Sequence, residues 1–451
     1  MKVILGLIGL GIVVFLHELG HFIAAKISGI GVEIFSLGWG KRLLGFTYKG
    51  TEYRLSLLPI GGYCKLKGEE AFKQNTVSGK PVPQGPDSFY AASPLKRMVV
   101  VVAGPLFNLF FAFLAFSVVW SIGFSYHTFS NRIILEADFP NTGSQSFPAK
   151  EAGLQTGDEI LFINDTPIQT YRDIQELVSK NPNTPLRFTY RRAGTVSQTV
   201  VTPELNKRTG AGRIGVYAWI EPIIDGVRKD SAAYIAGLKP GDVLLRVDGE
   251  SIPHTVFFMK KLSEARSHPV QVTVQRGEQV FQTNLLPHFS ETGGLDTGLS
   301  FKTLTYTSRS TSLGEAFYKG IEETKNTLSE TIRSFGLLFK GINLSQAVSG
   351  PIRITYYVGE IASQGFSVDL ATGITSSLSF LALLSVTLFF MNLLPIPVLD
   401  GGLLLLFIIE LAFRRPLSSK FVYRYQYLGF LIVLSLIFLA TMSDVFFFFR
   451  R

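Results

Sequence analysis

One short stretch of the sequence carries residue types that can hold a metal ion and activate water: His17-Glu18-Leu19-Gly20-His21. On a helix, residues four positions apart lie on the same face, so the two imidazoles can bind one Zn²⁺ ion. Glu18 can then take a proton from a water molecule that the zinc ion has made acidic. The motif therefore predicts a zinc hydrolase in which His17 and His21 bind the metal and Glu18 is the base.

The motif lies inside an apolar stretch, from about 3 to 27, that is long enough to span a bilayer. Ionisable side chains are costly inside a spanning helix, so residues of this kind usually serve a function. Two alternatives stay open. The stretch could be a secretory signal peptide, although it lacks a clear small-residue cleavage site. The two histidines could also be satisfied by polar groups of neighbouring helices.

A zinc ion needs a third protein ligand and an open fourth position. Asp400 is the only acidic residue near the end of the third apolar stretch, in the segment Asn392-Leu393-Leu394-Pro395-Ile396-Pro397-Val398-Leu399-Asp400-Gly401-Gly402. The prolines break the helix there, and the glycines let the backbone approach a neighbour. Asp400 is therefore the best candidate for the third ligand, and a role as a cap for the following apolar run stays open.

The composition indicates a membrane protein that positions these groups on helices. The chain has 451 residues, of which 47% are hydrophobic and 17% charged, whereas soluble proteins carry about 25% charged residues. Four apolar stretches are long enough to span a bilayer, at about 3–27, 98–124, 378–394 and 427–447. The run from about 403 to 413 is too short to cross, so we expect it to be re-entrant or interfacial.

Positive charge predicts the orientation. The net charge is +9, and the basic residues cluster between the first and second stretches and between the last two. The positive-inside rule places both clusters in the cytoplasm, and the first and third spans then run in the same direction. Both termini and the segment from about 125 to 370 are expected outside. Because the membrane accounts for the charge, no nucleic acid partner is expected, and the single cysteine, Cys64, excludes a zinc site built from cysteines.

The external segment contains a repeat. Ala152-Gly153-Leu154-Gln155-Thr156-Gly157-Asp158 returns 84 residues later as Ala236-Gly237-Leu238-Lys239-Pro240-Gly241-Asp242. In both copies an apolar strand and a second turn follow. The pattern resembles the bacterial type of PDZ domain, which binds extended peptides at a sheet edge. Two β-rich domains that only space or gate the membrane part are the alternative.

The histidine motif, the Asn392–Gly402 element and the two PDZ-like repeats together resemble the site-2 protease family of intramembrane zinc metalloproteases, and within it the bacterial regulator-of-sigma-E branch. Ala103-Gly104-Pro105-Leu106-Phe107-Asn108 and Ser349-Gly350-Pro351 also fit that family. The resemblance covers essentially the whole chain. It implies that Asp400 is the third ligand of one zinc ion and that Glu18 is the base.

The resemblance also implies where the substrate binds. Asn392, Pro395 and Pro397 would help to seat a substrate strand, and Gly38-Trp39-Gly40 matches a Gly-aromatic-Gly loop of the family. The segments 32–35, 43–48, 52–58 and 63–66 have the pattern of short strands with glycine turns. In the family, such a membrane-dipping sheet pairs with the unwound substrate.

The implied activity is hydrolysis of peptide bonds within the transmembrane segment of single-pass membrane proteins. The family's usual target is an anti-sigma factor already cut by an upstream site-1 protease, and signal-peptide remnants are a further possibility. The expected location is the bacterial inner membrane, with the active site toward the cytoplasm. The alternative is a non-catalytic scaffold that binds through its PDZ domains. A metal transporter would need polar groups along the second and fourth spans, which offer few.

These interpretations give a polytopic α-helical membrane protein with four transmembrane helices, a membrane-associated β-hairpin sheet and two tandem extracytoplasmic PDZ domains. A Gly/Pro/Ser/Asn-rich linker is expected from about 69 to 92. Helical spacing of apolar residues from Phe317 to Ile342 predicts a helix that either packs on its neighbours or lies on the outer membrane surface. The predicted segments are the first span (1–30), the cytoplasmic β-region and linker (31–97), the second span (98–124), PDZ domains (127–205 and 210–290), an external helical region (300–370), the third span with the re-entrant run (375–412) and the fourth span (425–448).

Overall fold

The computed structural model describes residues 2–69, 85–139, 146–207, 209–266, 268–289, 294–337 and 350–449. The chain divides into two compact units. One unit joins Met1–Phe124 to Ser308–Arg451, and the other is Ser125–Thr307. Most of the linker predicted at about 69–92 lies outside the described residues.

The first unit begins with a long helix, two long strands and a second long helix. These are α1 (Lys2–Ile27), β1 (Val32–Tyr48), β2 (Thr51–Leu66) and α2 (Pro94–Ile122), with a short 3₁₀ helix at Phe89–Ala91. Pro94 occupies the first turn of α2, where backbone N–H groups have no partner within the helix, so the missing N–H of proline costs no hydrogen bond. Pro105 lies inside α2, at the level where α1 comes closest.

The two strands fold into one bent sheet, in place of the four short strands that the sequence predicts. Gly38 and Gly40 have φ of 89° and 92° at the bend of β1, a conformation that glycine adopts readily. Residues 34–37 have partners in β2 on two sides, at 52–55 and at 62–65. The edge segment, Gly62–Leu66, pairs only with β1 among the described strands and so borders the sheet.

The second unit is β-rich and begins with the first copy of the sequence repeat. A four-stranded sheet has the order β6-β5-β7-β8, and β11 pairs with β4 beside it. The elements of this half are β3 (Phe124–Thr128), β4 (Ile133–Leu135), α3 (Pro148–Glu151), β5 (Glu159–Ile163), β6 (Thr166–Pro167), α4 (Tyr171–Lys180), β7 (Leu186–Arg192), β8 (Thr195–Val201), β9 (Glu204–Leu205), β10 (Gly212–Arg213) and β11 (Val216–Ala218).

The second copy has the same arrangement. Its four-stranded sheet has the order β14-β13-β15-β16, and β12 pairs with β17. Each copy has its own apolar core, the first around Phe188 and the second around Phe258. The elements are β12 (Ile224–Val227), α5 (Ala232–Ile235), β13 (Val243–Val247), β14 (Glu250–Ser251), α6 (Thr255–Ala265), β15 (Val270–Arg276), β16 (Gln279–Leu285), β17 (Leu299–Phe301) and β18 (Leu304–Ser308), which pairs with β3.

The first unit is completed by α7 (Leu313–Leu337), α8 (Pro351–Val368), α9 (Leu370–Asn392), α10 (Asp400–Phe413) and α11 (Ser419–Phe449). Among the described residues, four helices are long and apolar enough to cross a membrane: α1, α2, α9 and most of α11. The 14 residues of α10 reach only about 21 Å, short of a bilayer core of about 30 Å. This helix therefore cannot span.

Two further helices pack on the spanning helices. In α7, Gly320 lies against Ser117 of α2, while Tyr318 and Ile321 on another face are exposed. Of the residues that predicted this helix, Phe339 and Ile342 lie outside the described residues. Helix α8 packs beside the first turns of α1, where Gly6 leaves room for the carbonyl of Thr355.

Candidate metal centre

The structure brings His17, His21 and Asp400 together, although Asp400 is 379 residues from His21 in the chain. Their ligand atoms all lie within 4.8 Å of one another. The Nε2 atoms of the two histidines are 3.1 Å apart, and Asp400 carboxylate oxygens lie 3.2 Å from His17 Nε2 and 3.6 Å from His21 Nε2. Ligand atoms of a tetrahedral zinc ion are separated by about 3.3 Å, given bond lengths near 2.0–2.1 Å. The donor set and its spacing therefore fit one zinc ion.

Asp400 follows a tight turn between α9 and α10. Cβ atoms at Gly401 and Gly402 would collide with the carbonyls of residues 393, 394 and 396, so the turn requires glycine at both positions. Val398 has a φ of 80°, which a β-branched residue rarely adopts. Asp400 itself is the first residue of α10, where the positive end of the helix dipole favours a carboxylate.

The other ring nitrogens of the histidines have partners that orient both rings. His21 Nδ1 lies 2.8 Å from the carbonyl oxygen of Val100 and can donate its proton to it, which leaves Nε2 free to bind metal. His17 Nδ1 faces the side-chain amides of Asn108, at 3.3 Å, and Asn392, at 3.5 Å. The buried Oδ1 of Asn108 has no hydrogen-bond partner, and the flipped amide would present this acceptor to His17.

Asn108 is a site residue whose role the sequence did not reveal. It occurred only as part of the family-like segment 103–108. The available signal was its position, because an amide in the middle of an apolar stretch of a spanning helix is costly unless it has a partner. It is fully buried against His17.

Helices α1 and α2 approach closely at the site because of two glycines. A Cβ atom at Gly20 would collide with the carbonyl of Ala103, and one at Gly104 would collide with the imidazole of His21. The small residues therefore create the space that the His21 ring occupies.

Glu18 faces the bent sheet. Its Oε2 accepts a hydrogen bond from the backbone N–H of Cys64, at 3.0 Å, in the edge segment. Gly61, which directly precedes the edge segment, lies against Val14 of α1. Glu18, the predicted base, is thus next to the metal-ligand candidate His17 in the sequence and beside a β-strand in the fold.

The remaining predicted residues lie in two places. Asn392 is beside His17, whereas Pro395 is exposed in the turn and Pro397 packs against Gly429 of α11. Gly38, Trp39 and Gly40 form the bend of β1, and the half-exposed Trp39 ring lies 5.4 Å from the Tyr63 ring. The hydrogen bonds of the two histidines, within the described part of the chain, do not involve this loop.

Comparisons with known proteins identify the family of the chain. The family model for peptidase family M50 matches residues 5–436. A "putative zinc metalloprotease" of Treponema pallidum is 40% identical over 453 residues, covering all of both chains. The "regulator of sigma E protease" of Haemophilus influenzae is 30% identical and covers 97% of each chain. A PDZ domain of an SdrC-like protein from Listeria monocytogenes covers 19% of the chain, with 17% identity and a TM-score of 0.17.

The family match includes His17, His21 and Asp400, the bent sheet, nearly all of the first three apolar helices and part of the fourth. The chain is therefore a membrane-embedded zinc metalloprotease and belongs to peptidase family M50, the site-2 proteases.

Proposed function

We propose that the protein is an intramembrane endopeptidase that cuts within the transmembrane segment of single-pass membrane proteins. The observation that carries the proposal is the position of the ligand cluster. His17 and His21 lie in an apolar helix long enough to span a bilayer, and a sheet edge lies directly beside Glu18. A soluble protease would need neither arrangement.

In this proposal His17, His21 and Asp400 hold one zinc ion, which would supply a Lewis acid and an acidic bound water. Glu18 would be the base that accepts a proton from the attacking water and donates it to the leaving amine nitrogen. The Val100 carbonyl, and the Asn108 side-chain oxygen once its amide is flipped, would accept the Nδ1 protons of His21 and His17, which leaves both Nε2 atoms free. Asn392, Pro395 and Pro397 belong to the proposed substrate site, and Asn392 lies beside His17.

The sheet supplies what an unwound substrate lacks. A transmembrane helix hides its peptide bonds in its own hydrogen bonds, so it must unwind before hydrolysis. Lipid cannot satisfy the backbone groups that unwinding exposes. We propose that the substrate pairs as a strand with the sheet, and that Gly38, Trp39 and Gly40 contact it near the bend.

The biological setting extends this proposal. The two repeats would be tandem PDZ domains, and they would lie outside the cytoplasmic membrane of a bacterium together with both termini, as the distribution of basic residues favours. The active site would then face the cytoplasmic half. Because relatives are named regulator of sigma E protease, the substrate proposed is an anti-sigma factor already cut by an upstream protease. Signal-peptide remnants form a second substrate class.

Substitution of Glu18 tests the proposal. Purified full-length protein and a tagged single-pass substrate are reconstituted in nanodiscs, and zinc content and cleavage are both measured. Glu18→Gln should keep zinc and lose cleavage by about 10³-fold or more, because the base is lost but the ligands remain. His17→Ala and Asp400→Ala should lose the metal as well.

Glu33→Gln is the matched control, because Glu33 is a glutamate of the bent sheet next to Glu18 and its carboxylate pairs with Lys65. Cleavage that survives in Glu18→Gln would refute the mechanism. A wild-type protein that holds zinc and cuts no membrane-spanning substrate would instead favour the scaffold alternative.

A further inference from the structure

The hydrogen bond between Glu18 and Cys64 joins the proposed base to the strand that borders the sheet. The Cys64 N–H donates to Glu18 Oε2 over 3.0 Å. The neighbouring Gly62 is also close, since a Cβ atom there would lie 3.8 Å from Glu18 Cγ. Helix α1 therefore meets the edge segment at Glu18 itself.

The Cys64 N–H points to the outer side of the sheet. Cys64 is opposite Phe35 in the pairing with β1, yet its donor is used by Glu18. Every second N–H of a strand points to the same side. Gly62, Cys64 and Leu66 therefore share the outer side, and Leu66 N–H donates to the Glu69 carboxylate at 3.3 Å. Two acidic side chains thus occupy backbone donors to which an added strand would bind.

We propose that Glu18 is held away from the reaction in the free protein, by its bond to Cys64, and that a substrate strand displaces it. A carbonyl of the substrate would take the Cys64 N–H, and the freed carboxylate would turn toward the metal site. This inference rests on the proposed function, because it assumes that the substrate adds to the edge segment. It makes the Cys64 N–H a positioning group for both the base and the substrate.

The displacement has a cost that sets its direction. A hydrogen bond to a carboxylate is stronger than one to a neutral carbonyl, so a single substrate carbonyl cannot replace Glu18 alone. The other backbone bonds of the added strand must offset the difference. A segment that stays helical offers none of them, so only an unwound segment releases the base.

The single cysteine allows a direct test, because protein labelled with ¹⁵N-cysteine has one labelled amide, that of Cys64. The full chain in nanodiscs, with and without zinc, is titrated with an apolar peptide whose central amide is reduced and cannot be hydrolysed. Without peptide, Glu18→Ala should shift the Cys64 amide proton resonance upfield by a few tenths of a ppm relative to the wild-type protein. With saturating peptide, the wild-type protein and the variant should reach the same position.

Peptide affinity gives an independent readout. If Glu18 competes with the peptide for Cys64 N–H, its removal should tighten binding to the zinc-free protein by about 3- to 10-fold. Glu18→Gln should be intermediate, because its amide oxygen still accepts the bond without charge. Glu33→Ala removes a carboxylate of the same sheet and should change neither the signal nor the affinity.

A peptide that binds without moving the Cys64 signal, or that binds Glu18→Ala no better than wild type, would overturn the displacement. A different result speaks against the proposed function alone. If the signal and affinities behave as expected but zinc-loaded wild type cuts no membrane substrate, strand binding stands and the protease assignment to membrane segments fails.

Discussion

The two units of the protein bury charge for different purposes. In the β-rich unit, an aspartate–arginine pair occurs in both repeats at equivalent positions, as Asp158–Arg192 and Asp242–Arg276. Each aspartate is buried and also accepts a backbone N–H from three residues earlier. These pairs hold a local turn to its own sheet.

In the first unit, which contains the four apolar helices long enough to cross a membrane, buried charged pairs connect helices that are far apart in the chain. Arg97 of α2 binds Glu410 of α10, with its guanidinium 4.5 Å from the Phe407 ring. Asp444 of α11 accepts backbone and side-chain bonds from Gly350 and Arg353 at the start of α8. A repeated pair therefore stabilises one domain, whereas a pair between helices helps to place the helix that carries Asp400.

Apart from loss of the base itself, the largest expected effect is at the contact between α1 and α2. Gly104→Ala should lower cleavage by about 100-fold or more and reduce bound zinc, because the new methyl group displaces the His21 ring. Gly336→Ala is the control, since a Cβ there meets nothing within 4 Å. Zinc content and cleavage of the two variants are compared. Full zinc binding in Gly104→Ala would show that the close approach does not position the ligand.

Breaking the pair between α2 and α10 should have the next largest effect. Glu410→Gln leaves Arg97 buried without its anion and should lower the free energy of unfolding by about 3–5 kcal/mol. Asp87→Asn, which breaks the exposed pair Lys67–Asp87 of the same unit, should cost far less, because water already solvates both side chains. Unfolding in mixed micelles measures both. Equal losses of stability in the two variants would show that the buried pair between helices contributes no more than the surface pair.

In the β-rich unit, the buried His254 predicts how the free energy of unfolding depends on pH. His254 caps α6 by accepting the N–H of Phe257 on Nδ1, so it must be neutral. Burial, helped by the nearby Arg132 and opposed by Asp138, lowers the pKa of His254 to about 4. Since an unfolded histidine has a pKa near 6.5, only the unfolded chain gains this proton between pH 6.5 and about 4.

The free energy of unfolding of this unit should therefore fall by about 3 kcal/mol as the pH drops from 6.5 to about 4, and His254 contributes nothing to the pH dependence above pH 6.5. Proteolysis of the full chain at graded urea concentrations measures it. His254→Asn keeps a capping side chain and should remove this part of the pH dependence. An unchanged pH profile in that variant would mean that another group titrates.

The smallest effect tests whether the repeats are equivalent. Thr199 and Thr283 donate to the carbonyls of Ala152 and Ala236 at 2.6 and 2.7 Å. Thr199→Val and Thr283→Val should each cost about 1 kcal/mol, because each removes one hydrogen bond and keeps the shape. The same proteolysis experiment measures both. Costs that differ by more than about 1 kcal/mol would show that the copies have diverged in energy.

Periodicity and composition were sufficient to predict the long apolar helices. The stretch predicted at about 3–27 is α1 (Lys2–Ile27), and the one predicted at about 98–124 is α2, which starts earlier, at Pro94. The third and fourth helices also begin several residues before the predicted spans, at Leu370 and Ser419. Helices extend beyond the apolar core because polar residues at their ends still make backbone hydrogen bonds, which a hydropathy pattern does not detect.

The sequence by itself determined the chemistry of the site: two histidines and a glutamate at helical spacing, and one acidic residue after a helix-breaking segment. Spacing within one helix fixes His17 against His21, because the helix geometry is local. Helical spacing could not predict the positions of Asp400, Asn108 or the Cys64 N–H relative to these residues, because these contacts join segments distant in the chain. Glycines at 20, 104, 401 and 402 permit the close backbone approach, but only the tertiary structure decides which surfaces meet there. The base and the edge segment become neighbours for the same reason, through packing of a strand on a helix that no local pattern encodes.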